Sequence, residues 1–144
     1  DYLVFALGSV TNDFGIKGVN THALGMKSVQ DALHIRSTIL RYFEDLCRFN
    51  EKADVVINIV GGGPTGVEMA GAIAELRNGP LKRDSELAAN QMKINIIEAG
   101  KNILPMFSEK LSNRAEKDLL KLGVTVNKDK VVKEIGSKEI IFKR

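Results

Sequence analysis

Two carboxylates and a cluster of glycines carry the chemistry that this sequence can support. Val55 to Ala70 runs from a short apolar stretch into Gly61-Gly62-Gly63-Pro64-Thr65-Gly66 and then into a helix-like pattern. It reads as strand, tight turn, helix. Gly61, Gly63 and Gly66 fit G-x-G-x-x-G, in which the first glycine permits the turn, the second lets the backbone approach a pyrophosphate, and the third lets helix and strand pack closely. Backbone N–H groups at the start of the helix, aided by its dipole, would hold a diphosphate without any basic side chain. Glu98, followed by Ala99, closes a second strand pattern beginning at Ile94. A carboxylate there accepts hydrogen bonds from the ribose diol of a dinucleotide and repels a 2′-phosphate, which favours NADH over NADPH. Lys101 acts against that preference. Glu68, in the first turn of the expected phosphate-binding helix, has two open readings. It is either an acid favoured by the positive helix end, worth about a few tenths of a kcal/mol, or a group placed beside the nicotinamide ring.

The surrounding elements must position these groups. Val55 to Val60 has the length of a buried parallel strand, with Asn58 its one polar break. Ala70, Ile73, Ala74 and Leu76 are spaced as one face of a helix ending near Asn78-Gly79-Pro80. With Ile94 to Glu98 they complete a βαβ unit. Leu81 to Met92 is charged and helix-prone, an expected surface helix or loop that delays Glu98 beyond the usual spacing of about 20 residues. Upstream, Tyr2 to Leu7 looks like a buried strand stopping at Gly8, and Val10 to Met26 like a connecting loop. Ser28 and Asp31 form an acidic capping box for a helix from about Val29 to Phe49, with Cys47 expected in its core face. Downstream, Ala99 to Phe107 is a loop. Ser108 caps a helix with apolar positions Leu111, Ala115, Leu119 and Leu122, and Val124 to Val126 is a further parallel strand. Val131 to Ile135 and Glu139 to Phe142 form a hairpin. The expected fold is α/β: a Rossmann-like dinucleotide-binding domain with a mostly parallel sheet and a β-hairpin layer.

Composition narrows the function. With 144 residues the chain is one domain, large enough to bury roughly two-thirds of its unfolded surface. The net charge of +3 arises from 21 basic and 18 acidic residues interspersed along it, which disfavours nucleic acid as a partner. One cysteine excludes a disulfide framework, and His22 and His34 lack neighbours at metal-ligand spacing, so no metal site is expected. No apolar run is long enough to span a membrane; a soluble, cytoplasmic domain is the expectation. Phe5, Phe14 and Tyr42 are expected in core or loop packing. A glycine turn that binds nothing, a methyltransferase domain binding S-adenosylmethionine and a non-catalytic nucleotide sensor remain as alternatives on the residues alone.

Longer stretches resemble a family, the flavoproteins with two dinucleotide domains, and within it the type II NADH:quinone dehydrogenases. Tyr2 to Gly8 resembles the strand where the FAD domain hands over to the NADH domain, with Leu7 in place of threonine. Gly15-Ile16-Lys17-Gly18-Val19 resembles the family's crossing segment, with Lys17 in place of proline. Lys27 to Arg36 resembles the following helix. Val60 to Glu68 is similar to the NADH-binding turn, and Ile97-Glu98-Ala99 and Ile103-Leu104-Pro105-Met106-Phe107 to Val124 are also similar. The resemblance implies that Glu68 sits near nicotinamide and flavin, that Gly8 belongs to the cofactor contacts, and that residues 1–26 end the FAD domain while 27–144 form an NADH-binding domain. It implies hydride transfer from NADH to FAD and onward to a quinone at a membrane surface, in a peripheral membrane protein that can form a homodimer. The flavin-binding and membrane-docking segments are expected outside this chain, which alone would bind NADH and catalyse nothing. A soluble FAD-dependent reductase of a disulfide or redox protein is the neighbouring alternative.

Overall fold

The structure, a computed structural model, describes residues 2–8, 12–49 and 54–143. Its centre is a three-stranded parallel sheet, ordered β1 (Val55–Val60), β2 (Met92–Ile97), β3 (Val124–Asn127). Helix α3 (Pro64–Leu76) carries the chain from β1 towards β2, and α6 (Glu109–Lys121) carries it from β2 to β3. In the parallel register Val60 pairs with Ile97 and Ile97 with Asn127. The carboxyl ends of all three strands are therefore level, and the residues just beyond them meet.

One face of the sheet is packed. Ile94, Ile96 and Val124 lie against Ala70, Ile73 and Ala74 of α3 and Leu119 of α6. Alanines at 70 and 74, both fully buried, let α3 lie close to the strands. Each large aliphatic side chain removed from water here contributes roughly 1.5–3 kcal/mol. The other face of β1 is open: Val56, Asn58 and Val60 are exposed, so β1 is not the fully buried strand its composition suggested. Among the described residues no strand lies beyond β1. Asn58 is not an isolated break either, because Asn95 stands opposite it in register and donates to its Oδ1 over 3.0 Å.

Helix α2 (Val29–Phe49) has the expected bounds, and its capping box is formed. Asp31 Oδ2 accepts from the Ser28 N–H at 2.7 Å and the Lys27 N–H at 2.9 Å, while Ser28 Oγ accepts from the Asp31 N–H at 3.1 Å. The helix buries Ile39, Phe43 and Leu46, spaced i, i+4, i+7. Cys47 falls about 100° round the helix from Leu46 and is exposed, contrary to its expected core position. Phe5, Phe14 and Tyr42 are exposed too, because no element covers their side of the chain among the described residues. Residues 2–8 have no regular structure and are exposed, so the opening strand is not formed, although the outer edges of β1 and β3 are unpaired among the described residues. Within the expected loop a short helix, α1 (Val19–His22), forms, and Lys17 accepts at its carbonyl from the Ile135 N–H at 2.8 Å. That bond ties the loop to the antiparallel hairpin of β4 (Val132–Ile135) and β5 (Ile140–Phe142).

Asn78-Gly79-Pro80 does not end the helix after the glycine turn. A π-helical turn, Arg77–Leu81, takes Pro80 inside it. Pro80 has no N–H to donate, and a turn that closes from residue i+5, as the Lys82 N–H does to the Arg77 carbonyl, relaxes the demand an α-helix would make. Helices α4 (Lys82–Asp84) and α5 (Glu86–Asn90) follow, the latter capped by Ser85, whose side chain accepts from Ala88 N–H. Leu81, Ala88, Ala89 and Met92 are buried, so this insertion belongs partly to the core. Ser108 occupies the N-cap of α6 without a side-chain cap bond. Leu111 is exposed, and Ser112 takes the inward position beside it. No helix among the described residues is long and apolar enough to cross a membrane.

Arg77 locks the base of the fold. Its guanidinium donates to the carbonyls of Met92 at 3.1 Å, Gly123 at 3.3 Å and Leu122, joining the start of β2 to the end of α6. Burial pushes its pKa down, yet an arginine remains charged in water-accessible protein. Arg77→Met, which keeps the aliphatic stem, should lower unfolding free energy by about 2 kcal/mol, the scale of hydrogen bonds to a charged donor. A urea titration reads this as a lower midpoint at unchanged slope.

Asp31 supplies a pH signature. The Ser28 N–H, then the Lys27 N–H and the Ser28 hydroxyl, hold its carboxyl below the ordinary aspartate value. A depressed folded-state pKa contributes stability that is present above the unfolded value of about 3.9 and lost as pH falls through the folded one. Asp31→Asn should remove this acid-limb component from the thermal midpoint measured against pH, leaving the two proteins closest at the acid end.

Candidate functional site

The glycine turn is built by the register of the sheet. Gly61, the first residue past β1, donates its N–H to the Ile97 carbonyl at 2.8 Å, extending the β1–β2 ladder by one bond. It then turns with φ +109, a conformation that only glycine adopts freely. Gly66, in the first turn of α3, has no room for a side chain: a Cβ would lie 2.1 Å from the Gly61 carbonyl oxygen. Gly63 is the N-cap of α3, extended at φ -73, ψ 179, and a Cβ there would meet nothing within 4 Å. Pro64 opens the helix at N1, where its missing N–H and fixed φ carry no penalty. Pro64 and Thr65 are exposed. The turn thus presents open backbone at Gly63 and the free amino end of a helix.

Gly62, the middle glycine, is expected from sequence among the cofactor-binding residues, and the structure gives it close neighbours of its own. A Cβ on it would lie 2.7 Å from Ile103 Cγ2 and 3.0 Å from Glu98 Oε2. Its N–H donates to Glu98 Oε2 at 2.6 Å, and its carbonyl accepts from the Leu104 N–H at 2.7 Å. The signal available in sequence was three consecutive glycines where two suffice for the motif.

Glu98 follows β2 directly and is held on every side. Its backbone N–H donates to Asn127 at 2.8 Å, and its carbonyl accepts from Lys130 N–H at 2.9 Å. Its second carboxylate oxygen accepts from the Gly100 N–H at 2.6 Å. The side chain is half-buried, with lone pairs left to accept from a diol. Beside it opens a cleft of ≈ 370 Å³, lined by Glu98, Gly100, Asn102, Leu104, Pro105 and Phe107 among others. Lys101 also lines this cleft, and Ala99, the residue after Glu98, is exposed.

Glu68 lies on the same helix as Gly66, exposed, and none of the hydrogen bonds or ion pairs among the described residues involves it. It is not in the first turn, because α3 begins at Pro64 and has no acid in its first turn. That removes most of the helix-dipole reading, since the dipole's effect fades within the first turn. Gly8 stands apart, with φ +71 and no atom within 4 Å of a Cβ placed on it. The structure therefore gathers Gly61 to Gly66, Glu98 and Ala99 at the strand ends and leaves Gly8 outside that group.

The chain resembles known proteins over almost its whole length. The family model described as pyridine nucleotide-disulphide oxidoreductase matches residues 1–143. The chain is 37% identical over 148 aligned residues to the external alternative NAD(P)H-ubiquinone oxidoreductase B3 of Arabidopsis thaliana mitochondria, covering 99% of this chain and 26% of that protein. It is 35% identical to the type II NADH:quinone oxidoreductase Ndh of Mycobacterium tuberculosis, covering 99% of this chain and 32% of that one. The structure of NDH2 from Plasmodium falciparum in complex with NADH superposes with a TM-score of 0.89 at 31% identity, covering 94% of this chain and 29% of the other. The chain thus spans roughly a quarter to a third of the length of these relatives. A match across almost all of its residues, with a glycine turn and strand-end acid in the matched span, establishes that the chain belongs to the pyridine nucleotide-disulphide oxidoreductase family.

Proposed function

We propose that residues 27–144 are the NADH-binding domain of a larger FAD-dependent NADH dehydrogenase, with residues 1–26 leading in from its flavin domain. The observation that carries this reading is the Glu98 carboxylate bonded to the Gly62 N–H, which sets a ribose-binding acid against the phosphate-binding turn. The open backbone at Gly63 suits a pyrophosphate, and Pro64, Thr65 and Gly66 continue its cradle along the helix start. Glu98 and Ala99 border the adenosine end. Glu98 favours NADH, although the Arabidopsis relative's name covers both nucleotides. Glu68, two residues beyond the cradle, is the acid we assign to the nicotinamide end.

FAD, when bound by the rest of such a protein, supplies the two-electron acceptor. Among the described residues only Gly8 is assigned to the flavin contacts, and they form no second glycine cradle. The relatives named as quinone oxidoreductases support a quinone as the terminal acceptor, and we place the whole protein at a membrane surface as a peripheral enzyme, able to form a homodimer.

Calorimetric titration with NADH and NADPH tests the reading. NADH should bind more tightly, and Glu98→Ala should weaken NADH roughly tenfold or more while narrowing the difference between the nucleotides, as expected for hydrogen bonds to a charged acceptor. Equal affinities in the parent protein would overturn the role of Glu98.

The glycines separate binding from folding. Gly63→Ala has an allowed φ and open space, so its melting temperature should match the parent. Its methyl group would stand where the pyrophosphate approaches, so NADH affinity should fall at least roughly tenfold. Gly66→Ala must instead displace the Gly61 carbonyl and should melt earlier even without nucleotide. Unimpaired NADH binding by Gly63→Ala would show that the turn is structural.

A further inference from the structure

We propose that Ser112 is a positioning residue for the dinucleotide site, acting through Ile103 and Leu104 on the Gly62–Glu98 pair. This rests on the reading of the glycine turn and Glu98 as an NADH site. Among the described residues Ser112 is the one buried polar side chain, 2% exposed, on a helix with seven charged residues among its thirteen. Its hydroxyl donates to the carbonyl of Ile103. Ile103 is fully buried, and its Cγ2 fills the space against Gly62 that a Cβ would need.

The next residue, Leu104, has φ +51, in the left-handed region that a non-glycine residue adopts at a cost. Such a conformation persists where its surroundings over-determine it. Here the determinants are the Leu104 N–H donating to the Gly62 carbonyl at 2.7 Å, the Phe107 N–H donating to the Leu104 carbonyl at 3.0 Å, and the Ser112 anchor one peptide upstream. Gly62 is consequently gripped at both polar atoms, with its N–H on Glu98 and its carbonyl on Leu104. Ser112 on α6 thereby fixes how the loop from Glu98 to Phe107 meets the glycine turn. It sets both the orientation of the Gly62 peptide and the place of the Glu98 carboxylate.

A double-mutant cycle with a nucleotide-free readout tests this. Ser112→Ala should weaken NADH roughly fivefold, the scale of one lost neutral hydrogen bond. In a Glu98→Ala background it should change affinity less than twofold, because its effect passes through Glu98. Without nucleotide, Ser112→Ala should lower hydrogen-exchange protection at the Gly62 and Leu104 amides while the β2 amides keep theirs. Ser112→Cys, a near-isostere with a weak donor, should move each readout in the same direction by less, and it serves if alanine unfolds the protein. The proposal is overturned by equal losses of affinity in both backgrounds, which would make Ser112 a direct contact or a general stabiliser. It is also overturned by unchanged exchange at Gly62 and Leu104. If the parent protein bound no NADH while those two amides lost protection, the positioning link would stand and the NADH assignment would fall.

Discussion

The bond between the Gly62 N–H and the Glu98 carboxylate is the constraint on which the site depends. It joins the turn after β1 to the residue after β2, and it exists because two parallel strands are paired so that Val60 and Ile97 are level. A slip of one residue would turn every β2 side chain to the opposite face. Ile94 and Ile96 would leave the core, and Glu98 would lose its approach to the glycine turn. Hydrophobic burial by the α3 face therefore determines the geometry of a polar site that it never touches.

Charge is managed at that site by backbone amides. Glu98 is satisfied by N–H groups from Gly62 and Gly100, and no basic side chain is bonded to it among the described residues. Two amide donors leave spare acceptor capacity on a carboxylate, enough for a diol. On the proposed reading, a lysine or arginine partner would cancel the negative field by which Glu98 disfavours a 2′-phosphate. At the opposite end of the sheet the polarity is reversed: Arg77 collects main-chain carbonyls at the end of α6 and the start of β2. The two ends of the strands are thus closed by opposite chemistry, amides around an anion above and carbonyls around a cation below.

The open face of β1 and the exposed lead-in from Tyr2 to Leu7 are apolar surface left without cover among the described residues. The relatives are three to four times longer than this chain, so these surfaces have additional polypeptide available to them in proteins of this family. The Lys17–Ile135 bond shows how the connecting segment is led across the hairpin instead of across the sheet.

Local sequence was enough for whatever depends on a few neighbouring residues. The strand, glycine turn and helix at Val55 to Leu76, the box of Ser28 and Asp31 with the bounds of α2, the Ile94 strand and the two-stranded hairpin were all legible, because periodicity, capping and turn chemistry act within one or two turns of chain. Glu98 could be picked out as the strand-end acid in spite of its late position. Tertiary structure decided what depends on partners distant in sequence. Pro80 entered a π turn because Arg77 and Asn78 are anchored to the end of α6. Cys47 turned outward because the core reaches only Ile39, Phe43 and Leu46. The opening strand stayed unformed although β1 offers an unpaired edge. Gly62 and Ser112 acquired their places because Ile103, far along the chain from the glycine turn, packs between them, and no window of sequence contains that contact.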